Sequence, residues 1–170
     1  MLIKTIRAID QYHSSIHRRQ LLSGYISLAH LNQHYMKKVL TSGLVASLVL
    51  LAFAFLCLKL MPVLLLSVTF EYFNPVFVND PFRNAFYFLH PIVLAFALAW
   101  FWNRFKGIFV GNLLARGLEF GFVYLIIATL PIMVLLFSAI DVSLTVIGTW
   151  LLYGFLQGTI AGLIFARMHV

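Results

Sequence analysis

Residues 39–58, VLTSGLVASLVLLAFAFLCL, make an unbroken run of twenty residues without a charge, bracketed by Lys37, Lys38 and Lys59. A helix of that length rises about 30 Å, which is the thickness of the hydrocarbon core of a bilayer, and basic flanks are what membrane orientation demands. The run therefore predicts a transmembrane helix. The rest of the chain is built the same way: 62% of the 170 residues are hydrophobic and 10% charged, against roughly 45–50% and about 25% in an ordinary soluble domain. One soluble core cannot hide such an excess, and at roughly 20 apolar residues per crossing the length allows four or five spans and no separate soluble domain.

Local signals divide the chain further. Spans are predicted at about 39–60, 81–103, 117–137 and 143–165. Pro62 should kink or end the first, leaving 63–70 as interfacial or re-entrant structure. Asp80-Pro81 reads as an N-cap followed by proline in the first helical turn. The second span carries Pro91 and has aromatic clusters at its ends (Phe82, Phe86, Tyr87; Trp100, Phe101, Trp102), as interfacial belts do. Residues 107–115 read as a surface turn or an early extension of the third span. The few residues around Asp141 make the third and fourth spans antiparallel neighbours. The predicted fold is all-α, an integral membrane four-helix bundle (39–170) preceded by an amphipathic interfacial arm (1–38).

With the N-terminus in the cytoplasm, ten of the twelve Lys and Arg lie on the cytoplasmic side and only Lys59 and Arg83 outside, so both ends are expected inside. The net charge of +7 follows this distribution and does not suggest nucleic acid. Cys57 is the only cysteine, which removes an intramolecular disulfide and a thiolate metal cluster from consideration. In the arm, Ile6, Ile9, Ile16, Leu21, Tyr25, Leu28 and Tyr35 recur at three-, four- and seven-residue spacings among Lys, Arg, Gln and Ser. That is a basic amphipathic helix suited to anionic lipid headgroups. It also holds two His-x3-His pairs, His13 with His17 and His30 with His34, at metal-ligand spacing. A closed metal site needs further ligands from a second segment, and a contact with the membrane that strengthens as the imidazoles gain charge is equally permitted.

Polar residues inside spans are costly and mark the first places to look for function. His90, Tyr124 and Tyr153 fall at similar depths by the 1.5 Å rise per residue, and Gln157 lies one turn beyond Tyr153 on the same face. They are candidates for one hydrogen-bonded layer, as interhelical glue or as a pocket for a ligand such as haem or a quinone. No second mid-membrane histidine is present to complete a haem site, and no cofactor is expected. Glu119 is the one acid within a predicted span, and Arg116, one turn before it, suggests an interfacial ion pair. Gly154, Gly158 and Gly162 form a GxxxGxxxG ridge, with Gly117-x3-Gly121 as a shorter counterpart, which permits close backbone approach within the chain or between chains.

The C-terminal half, through the glycine-flanked start at Gly117, Leu118, Glu119, Phe120 and Gly121, then Trp150 and the run from Gly154 to Gly162, resembles small uncharacterised bacterial multi-pass inner-membrane proteins of unknown function. The resemblance implies a bacterial cytoplasmic membrane, and no active residues carry over from it. The leading expectation is a non-enzymatic membrane protein acting through association with itself or another membrane protein. The alternatives are a small oligomeric transporter or channel lined by Glu119, Gln157 and His90, and a membrane enzyme or cofactor protein using His90 with the tyrosines.

Overall fold

A computed structural model describes residues 35–77 and 80–168, and every described segment of regular structure is helical. Contacts divide the chain at residue 38, and the unit Val39–Val170 is taken by itself. The arm's four histidines, His13, His17, His30 and His34, lie outside the described residues.

Among the described residues, four helices are long and apolar enough to cross a membrane: Tyr35–Leu64, Pro81–Ile108, Leu113–Ala139 and Leu144–Met168. Helix α1 (Tyr35–Leu64) runs two residues past Pro62. A break at Leu65 then starts the short helix α2 (Leu66–Glu71), so residues 63–70 divide between two helices. Asp80 caps α3 (Pro81–Phe105), its Oδ1 accepting from the Phe82 N–H at 3.1 Å, with Pro81 in the first turn. Pro91 is buried inside this continuous helix. A 3-10 turn (Lys106–Ile108) and a loop with Gly111 at φ +111° reverse the chain. Asn112 caps α4 (Leu113–Tyr124) by accepting from the Ala115 N–H at 2.8 Å.

The third span contains a feature absent from the periodicity. Residues Leu125–Thr129 form a π-turn before α5 (Leu130–Ala139). Pro131 supplies the cause: it has no N–H to donate back one turn, and its ring clashes with the carbonyl there, so the helix widens. Ser143 caps α6 (Leu144–Met168), its Oγ accepting from the Val146 N–H at 3.2 Å. The Ser143 N–H donates to Glu71 Oε1 at 2.6 Å, tying the end of α2 to the start of α6.

The helices pair antiparallel. Gly43 of α1 faces Phe96 of α3, and at the other end of that seam the Tyr87 hydroxyl donates to the Ala54 carbonyl at 3.3 Å. The closest pair is α4 with α6, where glycine meets glycine. A Cβ built on Gly158 would lie 3.1 Å from Gly121 Cα, and one on Gly162 would lie 3.0 Å from the Gly117 carbonyl oxygen. Two apolar clusters close the ends. Trp102, Phe109, Phe120 and Phe165 meet at the end where α3 finishes, with the Trp102 and Phe109 rings stacked at 5.2 Å. Val68, Val142, Val146 and Ile147 pack with Tyr72, Phe77 and Trp150 at the other. The Trp150 indole N–H donates to the Tyr72 hydroxyl, whose phenol is pushed up from its ordinary value by burial.

Candidate functional site

The interior of the bundle holds polar atoms that find no partner. Gln157 is 1% exposed, and its amide Nε2 makes no hydrogen bond among the described residues. One turn earlier on α6 stands Tyr153, whose hydroxyl is also buried. Position 157 belongs to the α6 face that continues through Ala161, fully buried in the aromatic core. The Tyr153 ring stacks on Phe53 of α1 at 5.6 Å, and its hydroxyl lies beside that of Tyr87 on α3, with Tyr124 also within electrostatic reach. Three helices thus meet around Tyr153, about 14 Å from the start of α6 by its helical rise and close to the middle of that span.

The layer differs from the expected one in its α3 member. His90 is exposed on the outer surface of α3 and no described residue hydrogen-bonds to it. Tyr87, three residues earlier, is itself 38% exposed, but its hydroxyl reaches the Ala54 carbonyl of α1. The depth of His90 was legible from the rise per residue, but its direction around the helix axis is set by packing of Pro91, Ala95 and Ala99 against the other helices.

Two further buried hydroxyls have a local account. Thr159 Oγ1 points at Gly121 on α4, only 2.1 Å from where a Cβ would sit there, and Thr129 Oγ1 points at Gly154 at 2.8 Å by the same measure. Hydroxyl oxygens against glycine Cα–H groups are weak contacts that recur where helices approach closely. Both belong to the glycine seam. The ridge Gly154, Gly158, Gly162 is therefore covered along its length by Thr129, Tyr124, Gly121, Phe120 and Gly117 of the same chain.

At the aromatic end, the expected ion pair between Arg116 and Glu119 is not formed. The Arg116 guanidinium lies over the Trp102 ring, 5.2 Å from its centroid, while Glu119 is exposed. The two residues are three apart on α4, and the buried face of that helix, Gly117, Phe120 and Gly121, takes Arg116 toward Trp102 and turns Glu119 away. Arg116 Nε and Trp102 Nε1 are both buried without hydrogen-bond partners among the described residues.

Two grooves open sideways. One, of about 440 Å³, is lined by Leu48, Leu51, Ala52, Phe55 and Phe88 between α1 and α3. The other, of about 240 Å³, lies between the π-turn and α6, with Leu125, Ile126, Leu151 and Phe155 among its walls. Neither has a polar side chain in its wall. Among the described residues no group of three or more His, Cys, Asp or Glu is placed to hold a metal. No protein-family model, curated protein or solved structure matches the chain.

Proposed function

We propose that the protein is a non-enzymatic, multi-pass membrane protein that takes a small, neutral, hydrogen-bonding solute into its bundle at Gln157 and Tyr153 and serves as a permeation or carrier unit. The observation that carries this reading is the Gln157 amide, fully buried at mid-span with Nε2 unpartnered among the described residues, one turn from the buried Tyr153 hydroxyl. A buried donor without a partner costs about 1–3 kcal/mol, and such groups are ordinarily met by an ordered water or a ligand. The buried polar side chains among the described residues are Ser42, Ser47, Thr129, Gln157 and Thr159, all uncharged, and His90 and Glu119 face outward. That favours a neutral solute over an ion. The distribution of Lys and Arg favours both ends on the cytoplasmic side, and the resemblance of the C-terminal half favours a bacterial cytoplasmic membrane.

The test is permeation of water, urea and glycerol into proteoliposomes by stopped-flow light scattering, comparing wild type with Gln157→Leu combined with Tyr153→Phe. Protein-dependent permeation that the double variant loses while its melting temperature holds or rises is the expected result. Permeation equal in both proteins, or none above protein-free vesicles, refutes the reading and leaves Gln157 as interhelical glue.

A second reading, association in the bilayer with itself or another membrane protein, draws on the 440 Å³ lateral groove, since the glycine ridge is already covered by α4. It predicts an oligomer or hetero-complex in mild detergent that Ala52→Trp disrupts. A monomer at all concentrations counts against it.

A further inference from the structure

The end of the bundle where α3 closes and α4 opens is basic. Arg104 and Arg167 are exposed and Lys106 is half-buried. The ring contact of Trp102 with Phe165, 6.0 Å between centroids, brings the last turns of α6 to the same place. Ile108 and Val110 in the connection between α3 and α4, and Leu114 in the first turn of α4, are 61%, 77% and 59% exposed. Apolar side chains alternating with cations fit the headgroup layer of a bilayer, where stems and rings meet acyl chains and charges meet phosphates.

Within this surface Arg116 is held differently from the other cations. Its guanidinium lies on the Trp102 indole, its Nε is buried with no partner, and among the described residues no carboxylate pairs with it. Beneath it Trp102 is 0% exposed, with its own Nε1 donor unused. A planar cation seated on an aromatic face loses little further freedom on binding and presents its amino edge in a fixed direction, which suits a two-point contact with a phosphodiester.

We infer that the Trp102–Arg116 corner binds the phosphate of an anionic phospholipid, with Arg104, Lys106 and Arg167 supplying the surrounding field and the exposed apolar residues of the connection lying against its acyl chains. Charge complementarity identifies the occupant. A zwitterionic headgroup brings its own cation into a field of one sign, whereas an anionic headgroup is attracted by every charge at this end except Glu119.

Native mass spectrometry of the full chain in mild detergent tests this, with dioleoylphosphatidylglycerol and dioleoylphosphatidylcholine added in equal amounts. Wild type should retain the anionic phosphatidylglycerol selectively, and Arg116→Gln should weaken that retention about tenfold, the scale of one charge-assisted contact pair. Arg116→Lys keeps the charge and the stem, so it should fold where Gln does not and still prefer the anionic lipid, but it should retain that lipid more weakly than wild type because it lacks the fork. Replacing Arg18 and Arg19 of the arm by Gln should leave the selectively retained lipid in place. Inorganic phosphate should neither displace that lipid nor shift the melting temperature through Arg116. The inference is overturned if Arg116→Gln, folded, retains the lipid as wild type does, or if Arg116→Lys equals wild type. It is also overturned if phosphate alone produces the Arg116-dependent shift, which would make the corner a free-anion site.

Discussion

Replacing Gly121 by Ala puts a methyl group into the tightest place in the bundle. Three atoms meet the new Cβ: Thr159 Oγ1 at 2.1 Å, Thr159 N at 2.9 Å and Phe155 O at 3.1 Å. The hydroxyl can swing away by a rotamer change, but the other two are backbone and belong to α6. Ordinary van der Waals contact begins near 3.4 Å, so α4 and α6 must separate by about half an ångström along the seam, a core overpacking of the kind that costs about 1–3 kcal/mol. Alanine in a helix also gains about 0.5–1 kcal/mol over glycine, which would mask part of the loss. Gly148 supplies the correction, since it lies in α6 with nothing within 4 Å of its Cβ position, so Gly148→Ala carries the propensity gain alone.

The difference between the two variants then isolates packing. At about 2 kcal/mol, with roughly 2–4 °C per kcal/mol for a chain of this size, Gly121→Ala should melt about 4–8 °C below Gly148→Ala. Far-UV circular dichroism in mild detergent reads this directly. Gly158→Ala presses on the same contact, through Gly121 Cα at 3.1 Å and Tyr124 Cδ1 at 2.9 Å, so the double variant should lose less than the two single losses together, because the first methyl has already parted the helices. Equal melting temperatures for Gly121→Ala and Gly148→Ala would refute the claim that backbone contact sets the distance between α4 and α6.

Three other substitutions probe the remaining contacts. Tyr72→Phe leaves the Trp150 indole N–H without its acceptor and should destabilise by about 1–3 kcal/mol, read as a lowered midpoint of thermal unfolding, whereas Trp150→Phe with Tyr72→Phe should recover part of that loss. Glu71→Ala removes the carboxylate that accepts from the Ser143 N–H at the start of α6 and should cost about 1 kcal/mol, with Glu71→Gln milder because its carbonyl oxygen still accepts; faster amide exchange in the first turn of α6 is the local sign. Tyr87→Phe deletes the bond to the Ala54 carbonyl and should cost only about 0.6 kcal/mol, the usual size of an interhelical hydrogen bond in a membrane, so a large drop in stability would mean Tyr87 also supports Tyr153.

The four spans were legible because a bilayer imposes one length and one composition on anything that crosses it. The predicted spans fall inside the observed helices Tyr35–Leu64, Pro81–Ile108, Leu113–Ala139 and Leu144–Met168, apart from one residue at the start of the fourth. The ends moved outward for a physical reason: Lys59 and Arg104 are charges that long side chains can carry to the interface while the helix continues, so a charge marks the boundary of the apolar run and not of the backbone hydrogen bonding. Asp80-Pro81 located the start of α3 because capping is local chemistry. The π-turn at Leu125–Thr129 escaped because hydropathy is blind to which carbonyl lacks a donor; Pro131 was the available signal.

The candidate site was legible in height and not in direction. Counting residues at 1.5 Å each placed His90, Tyr124 and Tyr153 at one level, but an α-helix turns 100° per residue, so a three-residue step from Tyr87 to His90 rotates a side chain by about 60°, enough to decide which of the two reaches the neighbouring helix. What chooses between them is the surface the partner helices offer. On α3 the small residues Ala95 and Ala99 are fully buried, and the face they define admits Tyr87, whose hydroxyl has the Ala54 carbonyl to meet. The same rule explains Arg116 and Glu119. As an isolated pair on one helix they attract, but such a surface pair contributes only a few tenths of a kcal/mol, less than seating a guanidinium on a buried indole, which reaches about 2 kcal/mol when desolvated. Trp102 therefore decides the orientation of Arg116, and it lies on another helix, fourteen residues away in the chain, where no pattern within α4 could reveal it.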